Sequence, residues 1–287
     1  MIKIYKINFR SYPFNHFIIS CMNKPIISIL GIPTDKHSSH LSGAAKAPPL
    51  IFKEFHSEAS NKFSENGIDL AKKGLWIDRG NLTLDAKGND FEIIRDAIHT
   101  ELNNGHRCIS LGGDHSISFP IIDAYHNFFP KLNILHFDAH PDLYENFDNN
   151  PYSHASPFAR ILENQLIKDL VQIGIRTMNT HQQEQVDKYN VNVIKMNDFD
   201  PSLKLDFDGP VYVSLDLDGL DPAFAPGVSH PEPGGLSTRD VIKVISNINQ
   251  EIVGADIVEY NPNKDINNIT AVTAAKLLKE LMGYMLL

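Results

Sequence analysis

The chain has 287 residues, 42% hydrophobic and 21% charged, and a formal net charge of −9. Its length suits one large domain or two smaller ones, and its composition is that of an ordinary globular protein. The acidic balance argues against nucleic acid as a partner, because phosphate binding needs a clustered basic surface.

In chain order, residues 1–21 come first and stand apart. MIKIYKINFRSYPFNHFIISC carries Lys3, Lys6 and Arg10 with no acid, and none of its apolar runs could span a membrane. Pro13, Asn15 and His16 interrupt any secretory core. The expectation is an N-terminal extension over 1–21, or a start upstream of the true one at Met22, with a single domain over 22–287 and no membrane partner. Two cysteines, Cys21 and Cys108, are too few for a disulfide framework. That fits a reducing compartment, and the cytoplasm is the expected location.

From Met22 onward, short β-rich runs alternate with helical patterns. Strands are predicted at 26–33, 106–113, 132–139, 170–175, 191–196, 210–218 and 252–260. Helices are predicted at 48–59, where Pro opens the first turn, and near 116–127, 157–168, 180–189, 237–250 and 268–285. Ser237 can cap the helix that follows it. Such alternation predicts an α/β fold, a parallel sheet with helices on both faces. The strands are nearly continuous apolar runs, as expected when both faces are buried. Ligands of such sheets bind beyond the carboxyl ends of the strands.

Polar side chains gather at those ends. The strand at 106–113 runs into His115, the strand at 132–139 into Asp138, His140 and Asp142, and the strand at 210–218 into Asp216 and Asp218. Extended backbone puts residues i and i+2 on one face, so Asp138 can share a direction with His140, and Asp216 with Asp218. Buried acids and imidazoles are costly unless paired or metal-bound. A lone Asp-x-His-x-Asp is more often a cap or turn, and Asp114 and Asp221 are read that way. Three such motifs at three strand ends outweigh that explanation. Four carboxylates and two imidazoles are too many for one tetrahedral zinc and suit two divalent ions sharing carboxylates. Oxygen-rich ligation favours Mn²⁺, with Co²⁺, Ni²⁺ and Fe²⁺ left open.

The stretches LGGDHS, FDAHPD, SLDLDGLDPAFAPG and GADIVEYNP resemble the motifs of the ureohydrolase family, which includes arginase and agmatinase. HFDAHPDLYENF, YSHASPFARI and APGVSHPEPGGLS are most similar to its plant-type arginase branch. The resemblance runs from about Pro25 to the C-terminus. It implies a three-layer α/β/α sandwich with a parallel, about eight-stranded sheet, and a homotrimer or homohexamer. It implies two Mn²⁺, one held by His115, Asp138, Asp142 and Asp216, the other by Asp138, His140, Asp216 and Asp218. It implies that His154 handles protons, that Glu259 orients the guanidinium, and that Asp142 also touches the nucleophile.

The implied reaction cleaves a small cationic guanidino substrate to urea and an amine, with L-arginine giving L-ornithine as the leading case. Agmatine, guanidinobutyrate and formimidoylglutamate are alternative substrates. A two-metal phosphoesterase would also need basic residues to grip phosphate, and the metal motifs carry none. A scaffold without catalysis would have lost ligands, His154 or Glu259, and all are present. Tyr144 and the pair Ser229–His230 depart from many family members, so the substrate-tail contacts are expected from the polar loop 145–154, with Asn149 and Asn150 as candidates.

Overall fold

The structure is a computed structural model that describes residues 25–85 and 88–287. The extension expected over residues 1–21 lies outside the described residues. Eight strands form one sheet: β1 (Ile27–Ile32), β2 (Trp76–Asn81), β3 (Arg107–Gly112), β4 (Asn133–Phe137), β5 (Asp169–Ile175), β6 (Asn192–Lys195), β7 (Val211–Asp216) and β8 (Ile252–Val258). Their order is β2-β1-β3-β8-β7-β4-β5-β6, and every pairing is parallel.

Side-chain alternation divides the core between two faces. In β1, Ile27 and Ile29 pack on one side, while Leu30 and Ile32 pack on the other. The first face is covered by α1 (Ala47–Phe55), α6 (Thr238–Ser246) and α7 (Ile269–Met285), through Ile51, Val244 and Leu278 among others. The second is covered by α2 (Asp90–Asn103), α3 (Ser118–His126), α4 (Pro157–Glu163) and α5 (Thr180–Tyr189), through Ile98, Ile121, Phe158 and Val186. The result is the three-layer α/β/α sandwich. No described helix is long and apolar enough to cross a membrane.

Two elements were missing from the sequence reading. β2, WIDRGN, is an edge strand, half-buried to exposed along its length, so it lacks the apolar run that marks its neighbours. α2 buries Ile94, Ile98 and Leu102, a four-residue spacing that is helical but sparse. The helix expected over 157–168 stops at Glu163, and Gln165 turns left-handed with φ 54°.

Topology places the site. β3 and β4 are consecutive in the chain, yet β8 and β7 lie between them. The carboxyl ends of these four central strands open one crevice, where open α/β sheets bind ligands.

Candidate metal centre

The strand ends converge because of local backbone chemistry. After β3, a Cβ on Gly113 would lie 1.6 Å from Thr34 O, so only glycine lets the two backbones meet. Asp114 then caps a short 3-10 turn by accepting from Ser116 N–H and also takes His37 N–H, as expected of a structural acid. Asp221 likewise accepts from Ala223, Gly234 and Gly235.

His115 opens that turn, fully buried. Ser214 Oγ donates to Asp256 Oδ1 (2.7 Å), so it accepts from His115 Nε2–H at 3.0 Å. That leaves Nδ1 with no hydrogen-bond partner, 3.3, 3.1 and 3.1 Å from carboxylate oxygens of Asp138, Asp142 and Asp216.

The carboxylate pairs arise differently from the alternation expected. β4 ends at Phe137 and β7 at Asp216, so Asp138, His140 and Asp218 lie past the strands. Asx-type turns gather them instead: Asp138 Oδ1 accepts His140 N–H at 2.7 Å, and Asp216 Oδ1 accepts Asp218 N–H at 2.8 Å. After Pro141 the chain reverses at Asp142 with φ 51°, a left-handed conformation that aspartate tolerates.

Among the described residues three ligand groups form: one joins His115 and Asp138 to His136, and the other two make up the cage. His115, Asp138, Asp142 and Asp216 have ligand atoms within 4.8 Å of one another, and so do Asp138, His140 and Asp218. Asp138 belongs to both; Asp216, expected in both, falls in the first only. His140 Nδ1 lies 3.3 Å from both Asp138 and Asp218.

The electrostatics are those of a cation site. Burial and the charge of Asp138 push Asp142 up to about 6 and Asp218 up to about 7. Burial opposes charge on His140, yet Asp218 and Asp138 raise it to about 12. Oxygen-rich donors, an orphaned imidazole nitrogen and mutually repelling carboxylates fit a pair of divalent cations.

Beside the cage stand His154 and Glu259. Glu259 follows β8 with φ 64°, a strained conformation for a non-glycine residue that is held by its contacts. Its Oε1 accepts from His115 N–H at 2.9 Å and pairs with His154 Nδ1 at 2.8 Å. Burial disfavours charge on His154, but Glu259 holds its pKa up at about 9. Ser39 N–H, donated to His154 Nε2 at 3.1 Å, works against that charge.

These groups line a cavity of about 200 Å³. Its remaining wall includes Ser39, Tyr144, Phe147, Thr177, Gln182 and His230. Burial and neighbouring His154 push His230 down to about 4, so it is a neutral ring at pH 7. Asn149 and Asn150 do not line the cavity. Asn149 is exposed, and Asn150 contacts His37 and closes a turn with Tyr152 N–H. Tyr144 and Gln182 occupy the wall where those asparagines were expected. Larger hollows of about 480 and 630 Å³ lie away from the cage.

Sequence reasoning passed over the polar row beneath the cage. Ser110, Asp256, Ser214, His136 and Gln172 pair in register across five strands, all buried. Its one signal was a polar residue inside each apolar run, as in ILHF and LVQIGI.

Sandwich and cage together define a class, an α/β protein with a candidate two-cation centre at the carboxyl edge of its sheet. The model of the Arginase family matches residues 26–283. The chain is 42% identical to the mitochondrial arginase of Medicago truncatula over 276 residues, covering 90% of this chain and 81% of that one. It is 33% identical over 271 residues to the N(1)-aminopropylagmatine ureohydrolase of Thermus thermophilus, covering 90% and 89%. The solved arginase structure from Medicago truncatula superposes with a TM-score of 0.86 at 40% identity, over 91% of this chain and 88% of that one. The chain belongs to the arginase family of ureohydrolases.

Proposed function

We propose that the protein hydrolyses L-arginine to L-ornithine and urea at a two-Mn²⁺ centre, with residues 22–287 as its single catalytic domain. The observation that carries this reading is the Glu259–His154 pair, held 2.8 Å apart in the cavity wall beside the carboxylate cage. His115, Asp138, Asp142 and Asp216 would hold one ion, and Asp138, His140, Asp216 and Asp218 the other. Ions held by these residues would supply a nucleophile at working pH by lowering the pKa of a bound water.

Glu259 Oε1 is fixed by His115 N–H and His154, so Oε2 is the acceptor for a planar guanidinium. Held there, the guanidinium carbon faces the cage. Asp142 accepts a hydrogen bond from the attacking group. His154, raised to about 9, keeps a proton at pH 7 for the leaving amine. Asp142, His154 and Glu259 are the proposed catalytic residues.

The plant relatives named as arginases support arginine as substrate. Agmatine is a second reading with its own observation, since the cavity wall carries no Lys or Arg among the described residues to pair an α-carboxylate. An α-carboxylate would instead take hydrogen bonds from Thr177, Gln182, Ser39 or Tyr144. The same proposal includes a homotrimer or homohexamer in the cytoplasm. The plant relatives are named as mitochondrial, so fractionation of the native host separates the two compartments.

The deciding experiment is urea release by Mn²⁺-loaded protein, with kcat/KM for L-arginine and agmatine compared. A large preference for arginine is expected. A preference for agmatine transfers the chemistry to the decarboxylated substrate, and no urea from either rejects both.

A further inference from the structure

Gln172 of β5 pairs in register with His136 of β4, directly beneath the cage, and both are fully buried. The Gln172 side-chain Nε2 lies 2.7 Å from Pro141 O and 3.0 Å from His136 Nδ1. A backbone carbonyl only accepts, so the amide nitrogen and not its oxygen must face Pro141. The second hydrogen of that nitrogen points to Nδ1, which must offer a lone pair. His136 is therefore a neutral ring with its hydrogen on Nε2, 2.8 Å from Asp138 Oδ2. Its ring is clamped by Phe158, at 4.1 Å between centroids. The other Asp138 oxygen takes His140 N–H at 2.7 Å.

We propose that Gln172 is a positioning residue for the metal centre: by fixing the tautomer of His136, it holds the Asp138 carboxylate oriented toward the cage. The proposal rests on the two-cation reading above. With the hydrogen on Nδ1 instead, the Nε2 lone pair would face the Asp138 carboxylate. An Nε2–H donor orients the carboxylate, and such outer partners commonly govern metal affinity.

The tautomer is read directly by two-bond ¹H–¹⁵N spectra of histidine-labelled protein, metal-free and loaded with diamagnetic Zn²⁺. The His136 signals are those missing from either His136→Phe or His136→Gln. A hydrogen on Nε2 and none on Nδ1 is expected in both states; an Nδ1–H ring or an imidazolium overturns the proposal. Metal affinity gives the second arm, by chelator competition for Mn²⁺ and elemental analysis. Gln172→Glu and Gln172→Met are expected to weaken Mn²⁺ binding about 10- to 100-fold. His136→Gln, whose amide can still donate to Asp138, should bind more tightly than His136→Phe. Unchanged affinity in both Gln172 variants, or equal loss in both His136 variants, overturns the proposal. A wild-type chain that binds fewer than two Mn²⁺ ions sinks the two-cation reading and this role with it. The tautomer spectra show separately whether the Gln172–His136 geometry itself failed.

Discussion

His154 is where binding and turnover separate. It supplies no ligand atom to either metal group, yet it lines the cavity and pairs with Glu259. His154→Ala should therefore lower kcat about 10²- to 10⁴-fold, the usual contribution of a general acid. Manganese content should stay at the wild-type value. Steady-state urea release beside elemental analysis checks both, and a variant that keeps its kcat would remove His154 from the chemistry. The wild-type kcat should also fall as pH rises through about 9, where the ring loses its proton. At this scale the cage was legible because acids and imidazoles at three strand ends have few structural uses. Gln172 and His136 were not, because a single polar residue in an apolar strand reads as packing until its neighbours in register are known. Asn149 and Asn150 stand outside the cavity wall, because a polar loop says nothing about where its side chains point.

Among the elements, α6 shows how a cap fixes a helix start near the site's supporting core. Ser237 accepts from Asp240 N–H at 3.1 Å, and Asp240 Oδ2 takes Ser237 N–H at 2.9 Å, a reciprocal capping box. Behind it, Val241, Val244 and Ile245 are fully buried against the sheet layer. Ser237→Ala should cost about 1 kcal/mol, seen as a lower denaturant midpoint with unchanged slope and unchanged metal content. A midpoint equal to wild type would mean that burial alone sets the helix start. This start was readable from the sequence because a capping serine precedes an amphipathic run. β2 was not readable, since an edge strand needs no continuous apolar pattern. The carboxyl ends of β4, β7 and β8 were each read too long by two residues. At β4 and β7 the reason is physical: Asx-type turns continue the polar alternation after the ladder stops. The side chains expected as ligands therefore do gather, though through turns and not through strand alternation.

For the whole molecule, the cage couples metal, proton and fold. In the metal-free chain Asp142 and Asp218 hold their protons up to about 6 and 7, because burial and Asp138 disfavour further charge. An unfolded aspartate releases its proton near 3.9. Between those values the folded chain binds more protons than the unfolded one, so these groups make stability fall as pH rises. His140 acts with the same sign. Its folded pKa, about 12, lies above the ordinary 6.5. Its contribution is complete below the unfolded value and fades as pH climbs through the folded one. Cations held there would take the place of those protons, and their affinity would grow as the ligands deprotonate. Mn²⁺ at 100 times its Kd should add about 2.7 kcal/mol per site to the folded state. The gap in Tm between Mn²⁺-saturated and chelator-treated protein should therefore widen from pH 5 to pH 8. Thermal unfolding across that range, with both forms in the same buffers, measures it. A gap that narrows as pH rises would mean that the four carboxylates share their charge in some other way and that the cage is not held together by cations.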